Sequence, residues 1–202
     1  MMNKLYTLAL DTANDSISVA LLEGENILAH EFRIMERGQG EALVPMIQSV
    51  LKESSFNIQK LNRIAVSVGP GSFTGVRIGL STARGIGLAL GIPVYGVTSF
   101  QAAACQLIDP VLVVLDTKRG DFYTQLFKNG KEAEPPVIRT IQQINSLTVP
   151  ALVGTGAKNL TDQTEKKIYP CSLEPAMAVG LCSFQKTCSP EPLYLRDADV
   201  SI

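Results

Sequence analysis

Histidine is nearly missing from this 202-residue chain, with His30 the only one. A histidine-rich metal site within one chain is therefore excluded, and a catalytic triad could draw only on His30. Cysteine is sparse. Cys105, Cys171, Cys182 and Cys188 form no C-x-x-C pair, so reduced, mostly buried thiols are expected. Long apolar runs are missing too: none approaches the ~20 residues of a membrane span. The opening MMNKLYTLALDTAND lacks a secretory apolar region and a cleavage site, which predicts a cytoplasmic protein with no membrane contact. An excess of either charge is also absent. Eighteen Lys and Arg stand against nineteen Asp and Glu, for a net charge of −1. That leaves no electrostatic footprint for autonomous nucleic-acid binding. Work on RNA would need a partner to supply most phosphate contacts.

What the chain does have is 46% hydrophobic residues, enough for one large domain or two small lobes. It also has a distinctive stretch at 66–91, VSVGPGSFTGVRIGLSTARGIGLALG. An apolar strand runs into a Gly-Pro-Gly turn, and the turn opens a long helix. Small residues recur at Gly71, Gly75, Gly79, Ala83, Gly87 and Gly91. Glycine costs up to ~1 kcal/mol per helical position relative to alanine. Close approach of a backbone, ligand or partner is the compensating reason expected.

Patterning predicts strands at Tyr6–Leu10, Ile17–Leu22 and Ile27–Phe32, then an amphipathic helix over Glu41–Ser54 with Pro45 in its first turn. A strand at Ile64–Val68, the glycine-striped helix, a strand at Ile92–Val97 and a helix capped by Thr98 or Ser99 follow. The pattern then restarts. LALDTANDSISVALLEGE from Leu8 resembles VVLDTKRGDFYTQLFKNGK from Val113, placing Asp11 and Thr12 105 positions before Asp116 and Thr117. A segment at Ile138–Leu147, a strand at Ala151–Val153 running into GTGA, and a helical candidate at Ala176–Gln185 complete a smaller second half. This divides the chain into lobes at 1–106 and 107–202.

Each motif has two readings. The turn Gly69–Gly75 can present backbone N–H groups to an anion, or it is a tight turn in which Ser72 caps the helix. It is not a P-loop, and a dinucleotide reading lacks the acidic residue that should end the next strand, Tyr95-Gly96-Val97-Thr98. Asp11-Thr12 and Asp116-Thr117 end strands. Facing across a cleft they would hold Mg²⁺ and nucleotide phosphates; alternatively they perform ordinary turn chemistry. Gly154 and Gly156 pass close to an adenosine or form a strand–helix turn. Arg77, Arg84 and Lys118-Arg119 reach phosphate or a partner, or are solvated. No nucleophile–base pair is evident, since Ser72 and Ser99 lack a histidine partner.

GPGSFTGVRIGLSTARGIGLALGIPVYGVTS, with LALDTANDSISVAL upstream and PLYLRDADV at the end, closely resembles the bacterial TsaB (YeaZ) family. The similarity is strong over about residues 5–104 and resumes at VVLDTKRGDFY, LVGTGA and PLYLR. The resemblance implies an α/β, actin-like (ribonuclease H-like) fold of two duplicated β-β-β-α-β-α lobes, the second reduced. It implies a role in making N6-threonylcarbamoyladenosine at position 37 of tRNA. In that pathway a TsaB-like protein pairs with its paralogue TsaD, which carries the transfer chemistry, and a small ATPase, TsaE, joins them. TsaD-like chains carry a His-x-x-x-His metal pair, and Ser99 and Ala103 stand at the two positions here. Neither can replace an imidazole ligand. The transfer chemistry is thus expected on the partner, and an endopeptidase activity gains no support. The family's common histidine near the first helix is replaced within Arg37-Gly-Gln39-Gly-Glu41.

The function expected is a non-catalytic scaffold and activator. No cofactor is expected in the isolated chain; ATP or ADP and metal are expected on partner subunits, and tRNA is approached through the complex. The resemblance implies that first-lobe helices bind TsaD and that a homodimer uses the same surface without it. Leu43, Met46, Ile47 and Val50 on one helix, with Val76, Gly79, Leu80, Ala83 and Gly87 on the next, are the interface candidates. The alternative is filling the lobe's own core. Bulky replacement at Gly79 or Ala83 is expected to weaken partner binding more than it unfolds the monomer. Asp11, Thr12, Asp116, Thr117, Gly154 and Gly156 are the candidates for a vestigial nucleotide site. Two competing functions remain: an ATP-dependent phosphotransferase or hydrolase using Asp11 and Asp116, and a regulatory dimer with another partner.

Overall fold

A computed structural model describes residues 4–171, 173–185 and 187–196, which fall into two compact units. Three apolar, alternating segments open the first unit as an antiparallel meander: β1 (Tyr6–Asp11), β2 (Ser16–Glu23) and β3 (Asn26–Ile34). Helix α1 (Gln39–Glu53) follows, then β4 (Arg63–Ser67), α2 (Phe73–Leu90), β5 (Val94–Val97) and the short α3 (Ser99–Ala103). β4 pairs in parallel with β1, and β5 with β4, so the sheet order is β3-β2-β1-β4-β5.

Alternation along the strands sends Leu8, Leu10, Ile17, Val19, Leu21, Ile64 and Val66 into one core with α1 and α2. Full burial of each such side chain contributes about 1.5–3 kcal/mol. Two of the boundaries that differ from the sequence pattern have a visible cause. Gly38, at φ 87°, lets the chain turn into α1 at Gln39. Pro45 therefore lies in the second turn rather than the first, where its missing N–H removes a bond to the Glu41 carbonyl. At the other boundary, Ile92 N–H donates to Gly87 O at 3.0 Å to close α2, so β5 begins only at Val94.

The second unit repeats the arrangement around β6 (Val111–Asp116). Antiparallel β7 (Phe122–Lys128) pairs with it, extended by β8 (Lys131–Glu132) and β9 (Val137–Arg139). Helix α4 (Ile141–Ser146) leads to β10 (Ala151–Val153), parallel to β6, and β11 (Lys167–Tyr169) completes the sheet. As in the first unit, the central strand has one antiparallel and one parallel neighbour and ends in Asp-Thr. The repeat seen in the sequence is thus also a repeat of topology. The second lobe is reduced: α4 has 6 residues where α1 has 15, and a four-residue 3₁₀ turn, Ala157–Leu160, stands where α2 has 18.

Helix α5 (Pro175–Cys182) closes the described fold, and it returns to the first unit. Its sequence PAMAVGLC is apolar on all sides, and Ala176, Ala178, Val179, Gly180 and Cys182 are buried. It covers the face of the first sheet opposite α1 and α2. A Cβ on Gly180 would lie 2.5 Å from Leu22 Cδ1 and 3.3 Å from Ala9 Cβ. The Ala176 N–H donates to Ser18 Oγ at 3.2 Å. The division at 106/107 is therefore corrected: residues 173–193 belong with the first unit, because their apolar helix is buried there.

Candidate functional site

Asp11 ends β1 and its Oδ1 accepts the Ala13 N–H at 3.2 Å, an Asx turn that starts the β1–β2 connection. The N-terminus of α2 is pressed against this turn. Ser72 N–H donates to Ala13 O at 2.7 Å, and Thr12 Oγ1 donates to Gly75 O at 2.6 Å. Such contact demands missing side chains. A Cβ at Gly71 would lie 2.1 Å from Ala13 O, and one at Gly75 would lie 2.0 Å from Thr12 O. A Cβ at Gly79 would lie 2.7 Å from Thr12 Oγ1, and one at Gly87 would lie 2.5 Å from Val94 Cγ2. Gly71 and Gly75 seat the unit's own backbone, and Gly79 and Gly87 make room for its side chains.

The geometry bears on phosphate binding. Two N–H groups of the Gly69–Gly75 turn that an anion would need are taken. Ser72 N–H goes to Ala13 O, and Gly75 N–H goes to the capping Ser72 Oγ at 3.2 Å. The turn is filled by protein and does not fit a phosphate cradle.

Asp11 is buried, and burial pushes its carboxyl pKa up, offset in part by hydrogen bonds from Ser67 and Ala13. Ser67 Oγ lies 3.4 Å from Ser99 Oγ, and Ser99 N–H donates to Gly69 O at 2.8 Å. Asp11, Ser67 and Ser99 thus form an internal polar chain. Ser99, aligned with one histidine of the paralogue's metal pair, is an interior hydrogen-bonding residue here. Among the described residues, no group of three or more His, Cys, Asp or Glu side chains is placed to hold a metal.

The second unit's Asp116 is likewise engaged in its own turn. Its Oδ1 accepts the Lys118 N–H at 2.8 Å and its Oδ2 the Asn159 Nδ2 at 3.0 Å. Thr117 Oγ1 donates to Asp121 O at 2.9 Å, and Asp121 pairs with Arg196. Gly154 and Gly156 let β10's turn pass β6: a Cβ would meet Val114 O at 2.5 Å or Phe122 Cδ1 at 2.7 Å. All six residues singled out for a nucleotide have structural duties, three pairs in three turns, each within one unit.

The nine candidate interface residues lie inside. Leu43, Met46, Ile47, Val50, Val76, Gly79, Leu80, Ala83 and Gly87 are all buried, facing the sheet. Hence a bulky side chain at Gly79 or Ala83 is a core lesion, because the space it needs is occupied by Thr12 or the packed sheet. The outward faces of the same helices carry Val44, 49% exposed, and Leu88, 87% exposed. Near the start of α2, Arg77 stacks 3.6 Å over the Phe73 ring.

Two features escaped sequence reasoning. Arg63 binds Thr7 Oγ1 at 2.9 Å and the carbonyl and hydroxyl of Ser183 at 3.2 Å each, and lies 3.8 Å over the Phe184 ring. It fastens the end of α5 to β4. The segment after α5 pairs Cys188 with Gly96 and sends Leu193 N–H to Val68 O at 2.8 Å. The terminal PLYLR string was the only signal for the second, and nothing in the local pattern marked the first.

Two lobes of the same topology, each with a central strand ending in Asp-Thr, define a protein of the actin-like ATPase fold. An activator of 2-hydroxyisocaproyl-CoA dehydratase from Clostridium difficile shares that fold, with a TM-score of 0.57 at 12% identity over 89% of this chain and 94% of its own. YeaZ from Pseudomonas aeruginosa matches at a TM-score of 0.77, 24% identity, 95% of this chain and all of its own. The family model for the tRNA N6-adenosine threonylcarbamoyltransferase TsaD matches residues 33–169. The tRNA threonylcarbamoyladenosine biosynthesis protein TsaB of Escherichia coli is 32% identical over 166 residues, covering 74% of this chain and 71% of the relative. The chain belongs to the TsaB (YeaZ) family.

Proposed function

We propose that this chain is a non-catalytic scaffold and activator that partners a TsaD-like paralogue in forming N6-threonylcarbamoyladenosine at position 37 of tRNA. A TsaE-like ATPase joins the pair, tRNA is met through the complex, and nucleotide and metal belong to the partner subunits. The observation that carries the reading is the closed β1–β2 turn. Where an actin-like ATPase would admit phosphate, Ser72 N–H reaches Ala13 O at 2.7 Å and two glycines bring the backbones together. The partner surface is the outward side of α1 and α2, where Val44 and Leu88 stand exposed.

The test is reconstitution of tRNA modification with the TsaD-like paralogue, with and without this chain, beside calorimetry of the isolated chain with Mg-ATP. Modification is expected to depend on the chain, and no heat is expected from Mg-ATP. The double variant Val44→Glu with Leu88→Glu should lose capture of the paralogue while melting at the wild-type temperature. Modification that proceeds equally without the chain, or Mg-ATP turnover by the chain alone, sinks the proposal. Turnover would favour the phosphotransferase reading instead.

A further inference from the structure

We propose that residues 187–193 are a detachable strap that guards the outer edge of β5 against strand addition by other chains. β5 is a four-residue strand at one margin of the first sheet. Its bonding phase is set by β4. Ile64 N–H donates to Pro93 O at 3.0 Å and Val68 N–H to Val97 O at 2.9 Å. Residues bonded to one neighbour alternate with those turned the other way, so Gly96 faces outward. Left open, such a margin is a template for a foreign strand.

The strap occupies it. Gly96 N–H donates to Cys188 O at 3.0 Å, and Cys188 N–H donates to Gly96 O at 2.9 Å. The seat is shaped for it, because a Cβ at Gly96 would lie 2.6 Å from Ser189 O and 2.9 Å from Cys188 Sγ. Two further ties lie beyond the bridge. Leu193 N–H donates to Val68 O at 2.8 Å, and Arg84 of α2 donates to Pro190 O.

The strap does not pass the problem on. Pro190 and Pro192 have no N–H, Glu191 N–H goes to Ser189 O at 2.7 Å, and Leu193 N–H is held by Val68. From 189 to 193 only Ser189 keeps an N–H to offer, too little to continue a ladder. An adhesive margin is exchanged for an inert one.

Its attachment is light. Cys188, Ser189 and Glu191 are exposed, and among 187–193 it is Leu193 that packs against the core of the unit. Helix α5, just before it, is largely buried. A segment with so little burial opens without the rest of its unit. Each opening returns the Gly96 N–H and C=O to an unpaired state, ready for another chain.

Hydrogen exchange of the full chain tests the first half of this. The amides of Gly96, Cys188 and Leu193 should exchange as one group, about tenfold or more faster than those of β4. Arg84→Ala, an exposed change, should speed those three and leave β4 unaltered. Association tests the second half, in a Val44→Glu, Leu88→Glu background so that the outward helix faces do not contribute. Adding Cys188→Pro and Leu193→Asp removes the bridge donor and the apolar anchor. Sedimentation velocity should then show large assemblies that the background chain does not form. A peptide with the sequence of residues 187–196, in excess, should disperse them by refilling the edge. Exchange of the three amides only at the rate of global unfolding, a released chain that assembles no more than its background, or assemblies indifferent to the peptide overturns the proposal.

Discussion

Asp11 carries a carboxyl in the interior, held by the Ala13 N–H and the Ser67 hydroxyl. Burial raises its pKa, so the native state keeps this proton to higher pH than the unfolded chain does. Stability from this group is greatest below the ordinary carboxylate range and is lost as pH rises through that range toward the raised value. Asn at this position keeps an acceptor for Ala13 and offers Ser67 a donor, without a charge. Asp11→Asn should therefore melt at a higher temperature than wild type at pH 7, with the difference shrinking toward pH 4. Paired thermal scans at the two pH values check it. A lower melting temperature at pH 7 would mean that the charge itself is used. The sequence marked Asp11 as special, but its surroundings come from Ser67 and Ser99, residues 56 and 88 positions away. No local pattern reports such a neighbourhood.

At the scale of elements, the stripe on α2 was legible and its purpose was not. Four-residue spacing showed that something approaches closely. It could not show that the visitor is the β1–β2 turn, a contact 63 residues apart between Thr12 and Gly75. The interface candidates meet the same limit. Apolar periodicity finds the buried face of a helix, and Leu43, Ile47 and Leu80, which follow that period, all face inward. The outward apolar positions Val44 and Leu88 break the period and escape that filter. A paired substitution separates contact from propensity. Gly75→Ala drives a methyl into Thr12 O and should destabilise by about 3 kcal/mol or more. Gly85→Ala, at a helical glycine with nothing within 4 Å, should stabilise by about 0.5–1 kcal/mol. Urea denaturation of both variants is the measurement.

For the whole molecule, the duplicated topology followed from one short repeat, because strand, Asp-Thr turn and alternating strand are local patterns. The return of α5 was invisible, because an all-apolar segment without period does not say which sheet it covers. Its placement makes the first unit discontinuous. A fragment ending at residue 106 lacks α5 and Arg63's partner Ser183, and leaves Ala9, Ala20 and Leu22 uncovered. That fragment should bind a hydrophobic dye and show little near-ultraviolet circular dichroism. A chain in which residues 173–193 are fused to it should regain native-like signal. A fragment 1–106 that folds by itself would remove α5 from the core of this unit.

The closure by α5 also sets an order on synthesis. A ribosome delivers the five strands and two long helices of the first unit early, yet the helix that seals the sheet's second face is made only after residues 103–172 of the second unit. Through that interval the nascent chain presents an open apolar sheet face, and a chaperone that binds such faces has its opportunity then. Slowing elongation between residues 103 and 172 should lower the yield of native protein more than slowing it before residue 60, when the sheet face is not yet formed.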